Sequence, residues 1–100
     1  MIEVRHTIVF SAWMAGLRDM QATARIATRI RRLSLGNFGD VKSVGGGVSE
    51  LRIDHGPGYR VYFTRTGSTL VIRHCGGDKR KQDRDILRAK EMAKEYGHDA

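Results

Sequence analysis

Cysteine and proline are nearly missing from this chain, with one residue of each in 100. A lone cysteine, Cys75, cannot close an intramolecular disulfide, so an oxidising compartment is not required and a cytoplasmic location is expected. Aromatic residues make up only 7%, so the core has to be built mainly from aliphatic side chains. No apolar run approaches the roughly 18 residues of a membrane span. Glu3, Arg5 and His6 interrupt the N-terminus where a secretory signal would be apolar. The four histidines and the cysteine show no zinc-ligand spacing, so no metal is expected. "GNFGDVKSVGGG" has spaced glycines but neither the GxGxxG spacing nor a phosphate-binding Lys-Ser/Thr ending. A nucleotide fold is excluded on that ground, and no cofactor is expected.

Acidic residues are also short: 11 Asp and Glu against 18 Lys and Arg, a formal charge of +7. That sign points to a polyanionic partner, nucleic acid or an acidic protein. With 40% apolar and 29% charged residues the chain has the composition of a folded domain. At this length one domain, 1–100, buries roughly 65% of its unfolded surface.

The hydrophobic pattern predicts an α+β fold. Ile2 to Val9 reads as an opening strand. From Ala12, with Ser11 as a candidate N-cap, to Leu33 the pattern is helical, and Ala22, Ile26, Ile30 and Leu33 make one apolar stripe. Arg18, Arg25, Arg29 and Arg32 fall on another face. Gly16 is a possible break that would give a helical hairpin or leave one helix. Gly36 and Asn37 are C-cap candidates. Next comes an antiparallel meander of three to four strands. "VSELRID" places Val48, Leu51 and Ile53 inward, "YRVYFTR" places Val61 and Phe63 inward with Arg60, Tyr62 and Thr64 opposite, and "TGST" turns into "TLVIRHC". A closing helix over about 81–96 keeps Ile86, Ala89, Ala93 and Tyr96 on one face, with Gly97 ending it.

"LSLGNFGDVKSVGGGVSELRIDHGPGYRVYF" followed by "GGDKRKQDRDILRAK" resembles the HigB-like addiction-module killer proteins of the RelE/ParE toxin superfamily. The likeness covers nearly the whole chain, including the Phe10 and Trp13 region, and rests on GNFGD, ELR, GPGYRVYF and GGDK in combination. It implies a RelE-like fold in which two helices cover one sheet face and the other, concave face carries basic residues. It also implies a ribosome-dependent messenger-RNA endoribonuclease, neutralised by a cognate antitoxin with a helix-turn-helix domain (HigA-like). The alternatives are a ParE-like inhibitor of a topoisomerase such as gyrase, and an RNA-binding module without catalysis.

RNA cleavage through its own 2′-hydroxyl needs a base, cations on the crowded phosphate and a proton for the leaving oxygen, but no metal. Arginine forks held on strands suit the phosphate. Arg60, after the GPG loop, matches the superfamily's strand arginine at the scissile phosphate. The competing role is an ion pair with Glu50 or Asp54. Arg52 is open to the same two readings. Lys79, following "GGD", lines up with a basic active-site residue of the superfamily, and Arg80, Lys81 and Arg84 extend that cluster as RNA contacts or as a solvated face. Tyr59 and Tyr62 could stack on bases or sit in the core. Gln82 and Asp85 could orient a nucleotide or cap the closing helix. His55 is the first candidate for general base, and His74, where the family is expected to carry an apolar residue, is the second. The arginines of the first helical span could grip RNA or an acidic antitoxin, or form a solvated face.

Overall fold

A computed structural model describes residues 2–77 and 82–95. The elements run β1 (Glu3–His6), α1 (Ile8–Ala15), α2 (Met20–Ser34), β2 (Val41–Gly45), β3 (Val48–Ile53), β4 (Tyr59–Thr66), β5 (Thr69–Gly76) and α3 (Gln82–Glu95). The strands form one sheet in the order β1-β5-β4-β3-β2. β1 is parallel to β5, while β2 to β5 form the expected antiparallel meander with four strands. The fold is therefore α+β, with three helices and a five-stranded mixed sheet among the described residues.

The opening strand is shorter than its β-branched run implies. Thr7, not Ser11, caps α1: its hydroxyl accepts from the Phe10 backbone N–H and donates to the Arg73 carbonyl at 2.8 Å. This cap turns Ile8 and Val9 into helix, because it lets Phe10 be buried against the sheet. The break at Gly16 is real. Gly16 closes α1, and Asp19 restarts the helix by accepting from the Gln21 and Ala22 N–H groups. Arg18 consequently lies in the turn between the helices and not on the face of α2. At the other end the Gly36 N–H bonds to the Leu33 carbonyl and the Asn37 N–H to the Arg32 carbonyl. Gly36 takes the positive φ of 82° that this C-cap geometry needs.

The α1/α2 face of the sheet holds the main core: Phe10, Ala22, Ile26 and Leu33 from the helices against Leu51, Ile53, Val61, Phe63, Leu70, Ile72 and Cys75. The opposite face, on which basic residues are expected, is partly covered as well. α3 packs on it, burying Ala89 against Val48 and Tyr62, with Ile86, Ala93 and Val44 at the edges. Val48 therefore sits on the α3 side and not with Leu51 and Ile53, since period-two alternation places 48, 50 and 52 together and 51 and 53 opposite. Among the described residues no helix is long and apolar enough to cross a membrane. The expected ends of the closing helix, Lys81, Tyr96 and Gly97, lie outside the described residues.

Candidate functional site

Strand register decides which polar side chains meet. Arg52 lies directly opposite Arg60 across β3 and β4, and Tyr62 lies opposite His74 across β4 and β5. Between Tyr62 and Phe63 the β4–β5 pairing slips past Arg73, a β-bulge. Without it, strict alternation would put His74 on the face of Ile72. With it, Cys75 takes that core position and His74 turns to the Tyr62 side. Bulges beside functional sites commonly re-aim a side chain in this way. Arg73 itself is buried and donates from Nε to Thr64 Oγ1 at 3.1 Å.

Glu50, Arg52, Arg60, Tyr62 and His74 thus share the face beneath the first turn of α3. Glu50 is fully buried, at 0% exposure. It accepts from Arg52 Nε at 3.2 Å and, on its other oxygen, from Gln82 Nε2 at 3.1 Å. One turn along α3 from Gln82, Asp85 Oδ1 lies 3.1 Å from His74 Nε2. The His74 ring stacks on Tyr62 with centroids 6.2 Å apart and planes at 16°. Gly76 lets this happen: a Cβ there would collide with the Asp85 carboxylate.

Arg60 is 7% exposed, and among the described residues no carboxylate lies within ion-pair distance of it. The expected structural role, pairing with Glu50 or Asp54, is therefore not the one it plays. Glu50 is engaged with Arg52 instead. Three buried polar atoms have no hydrogen-bond partner among the described residues: Arg60 Nη1, Tyr62 Oη and His74 Nδ1. Such atoms are few in folded proteins and call for a reason. Burial, and then the negative charges of Glu50 and Asp85, push the Tyr62 phenol well above its ordinary value of 10.0, so it stays a protonated donor. A cleft of about 540 Å³ opens alongside, lined by Lys42, Arg52, Arg60, Asp54, Tyr59 and Gln82 among others. Two arginines facing each other across adjacent strands repel. The arrangement is suited to bringing an anion between them.

Other candidates fall elsewhere. The Tyr59 side chain faces the main core, edge-on to Trp13 at 5.9 Å and 75°, and only borders the cleft. His55 Nε2 lies 3.2 Å from Asp19 Oδ2, so it ties the β3–β4 loop to the start of α2. The Ala22 backbone N–H and the His55 side chain hold the Asp19 carboxyl below its ordinary value. Arg84 is exposed on α3. Lys79, Arg80 and Lys81 lie outside the described residues. Arg25, Arg29 and Arg32 border a separate groove of about 390 Å³ with Ile53 and Asp54, and Arg29 Nη1 donates to the Arg52 carbonyl at 3.2 Å. Among the described residues no group of three His, Cys, Asp or Glu side chains is arranged to hold a metal ion. Sequence reasoning did not recognise Glu50 as the hub of the cluster. Its spacing from Arg52 placed both on one face, but which strands flank them is a matter of register.

A mixed sheet with helices on both faces, and a buried arginine with no carboxylate partner among the described residues beside a cleft lined by Lys42, Arg52, Asp40 and Asp54, define the class of molecule. The chain is 51% identical over 96 residues to an uncharacterized protein of Haemophilus influenzae, a match spanning 96% of this chain and 97% of the relative. It belongs to the same family as that protein. No protein-family model matches it.

Proposed function

We propose that the chain is a RelE-like toxin of the HigB-like kind: a cytoplasmic, metal-independent endoribonuclease that cuts messenger RNA on the ribosome and is held in check by a helix-turn-helix antitoxin. The observation that carries this reading is Arg60, buried beside a cleft, directly opposite a second arginine and without a carboxylate partner among the described residues. A cation left unpaired at this depth costs stability unless a ligand supplies the charge. A phosphodiester does so, accepting two parallel hydrogen bonds from a guanidinium. The excess of 18 basic over 11 acidic residues favours approach to RNA. Arg52, kept in place by Glu50, serves as the second phosphate contact, and Lys42 at the cleft wall adds positive charge.

The test is induced expression of the wild type and of Arg60→Ala in cells without the antitoxin, with transcript 5′ ends mapped before growth stops. Cleavages inside translated reading frames that vanish in the variant are expected. Growth arrest with intact transcripts would transfer the assignment to topoisomerase inhibition, and no arrest would leave a non-catalytic RNA-binding module.

A further inference from the structure

Resting on the ribonuclease reading, we propose that Arg29 of α2 is a positioning residue for the phosphate site: it holds the backbone of Arg52 and so sets where that side chain stands opposite Arg60. The ladder lacks a rung at this point. The Arg52 N–H donates to the Asp40 carbonyl at 3.0 Å, and residues so paired in an antiparallel sheet ordinarily exchange two hydrogen bonds. Among the described residues the return bond, from the Asp40 N–H to the Arg52 carbonyl, is not formed, and β2 starts to pair only at Val41, opposite Leu51. Arg29 Nη1 takes its place, donating to that carbonyl at 3.2 Å. The guanidinium also rests against the Gly39 backbone, where a Cβ would lie 2.6 Å from Nη2. The second glycine of GNFGD has its reason here: a side chain at that position would push the fork away from Arg52.

A staple that merely docks α2 could end on any carbonyl of the sheet. This one ends on the residue that supplies the second phosphate contact, at the place where the sheet is least able to hold it. Arg60 lies on β4 with β3 on one side and β5 on the other, whereas Arg52 lies on β3 where β2 has not yet joined. The two cations repel across the strands, so without Arg29 the end of β3 is the part that yields. Glu50 holds the Arg52 side chain through Nε at 3.2 Å, and Arg29 holds the backbone that carries it. Ile53 and Asp54, the next two residues, line both the cleft and the α2 groove. A shift of this strand end therefore moves the cleft wall. Arg25 and Arg32 border the same groove but are exposed, while Arg29 is half-buried. A planar fork suits this post, because one arm reaches the carbonyl while the other lies on Gly39, and its charge strengthens the bond.

The experiment separates binding from chemistry: ribosome affinity, and the single-turnover cleavage rate of a reporter message at saturating full-length chain, well below the melting midpoint. Arg29→Met keeps the apolar stem and loses the donors. It should bind ribosomes like wild type yet cleave about 10-fold or more slowly, since a misplacement of about 1 Å at a reacting centre can cost about 100-fold. Arg29→Lys, which keeps a charged donor, should recover part of that rate. In the free protein the Arg52 Nε–H, followed by nuclear magnetic resonance, should exchange with water faster in folded Arg29→Met than in wild type, a local change that a mere staple between α2 and the sheet would not produce. Cleavage by Arg29→Met within about threefold of wild type, or a defect lying wholly in ribosome affinity, would overturn the assignment while leaving the ribonuclease reading intact. Should Arg29→Met fail to fold, Arg29→Gln, whose amide falls short of the carbonyl, decides in its stead: a wild-type cleavage rate overturns the assignment equally. A wild type that cuts no message overturns the ribonuclease reading itself, and this proposal with it.

Discussion

Replacing Arg60 by methionine should make the protein more stable and biologically inert, an opposite pairing of effects that a structural arginine would not give. Arg60 is 7% exposed, its Nη1 has no partner among the described residues, and it faces Arg52 across the β3–β4 ladder. A buried unsatisfied donor costs about 1–3 kcal/mol. The like-charge cross-strand pair adds about 0.2–1 kcal/mol. Methionine keeps most of the apolar stem volume, so the packing loss stays below about 1.5 kcal/mol. The balance is a gain of about 1 kcal/mol, which in a domain this small raises the melting midpoint by about 4–8 °C. Thermal unfolding followed by circular dichroism, at low salt where the repulsion is least screened, measures it. Expression of the same variant should no longer arrest growth. A midpoint several degrees below wild type would refute the reasoning, because it would mean that Arg60 is held by interactions that stabilise the fold.

Further tests probe other parts of the account. Gly76→Ala should lower stability by about 1–3 kcal/mol and speed amide exchange along α3, since the added methyl collides with Asp85; unchanged exchange would contradict the docking geometry. Asp19→Ala should weaken the fold at neutral pH, and the gap from wild type should close on acidification. The Asp19 carboxyl is held below its ordinary value of 3.8, so its contribution is complete above that value and lost as pH falls through the lower folded one. Cys75 works in the other direction. Burial raises its thiol well above the ordinary 9.0, so the unfolded chain ionises first, and stability should fall as pH rises past 9.0, less steeply in Cys75→Ala. Urea melts at several pH values measure both effects.

Element order and class were legible in the sequence because local signals agreed with the fold. The stripe Ala22, Ile26, Ile30, Leu33 and the alternation around Val61 and Phe63 each name the face that α1, α2 and the sheet bury. Where local and tertiary demands competed, the sequence misled. Ile8 and Val9 favour a strand, but capping by Thr7 and burial of Phe10 prevail. Val48 looks like a partner of Leu51 and Ile53, but a second helix layer needs its own apolar floor. The cleft was half legible. Arg60 and Arg52 stand out as strand arginines, whereas their direct opposition, the freeing of Arg60 by the Glu50–Arg52 pair and the turning of His74 by the bulge all depend on register. Register follows from which side chains pack between strands far apart in sequence, and no local pattern encodes that.

The central claim is that this cleft cuts messenger RNA on the ribosome. The most direct measurement mixes the purified chain with one reporter message, with and without translating ribosomes, and maps new 5′ ends. Cuts within the reading frame, present only with ribosomes and abolished by Arg60→Ala, are the predicted result. An intact message under both conditions, above all if the same protein blocks topoisomerase-driven relaxation of plasmid DNA, would contradict it.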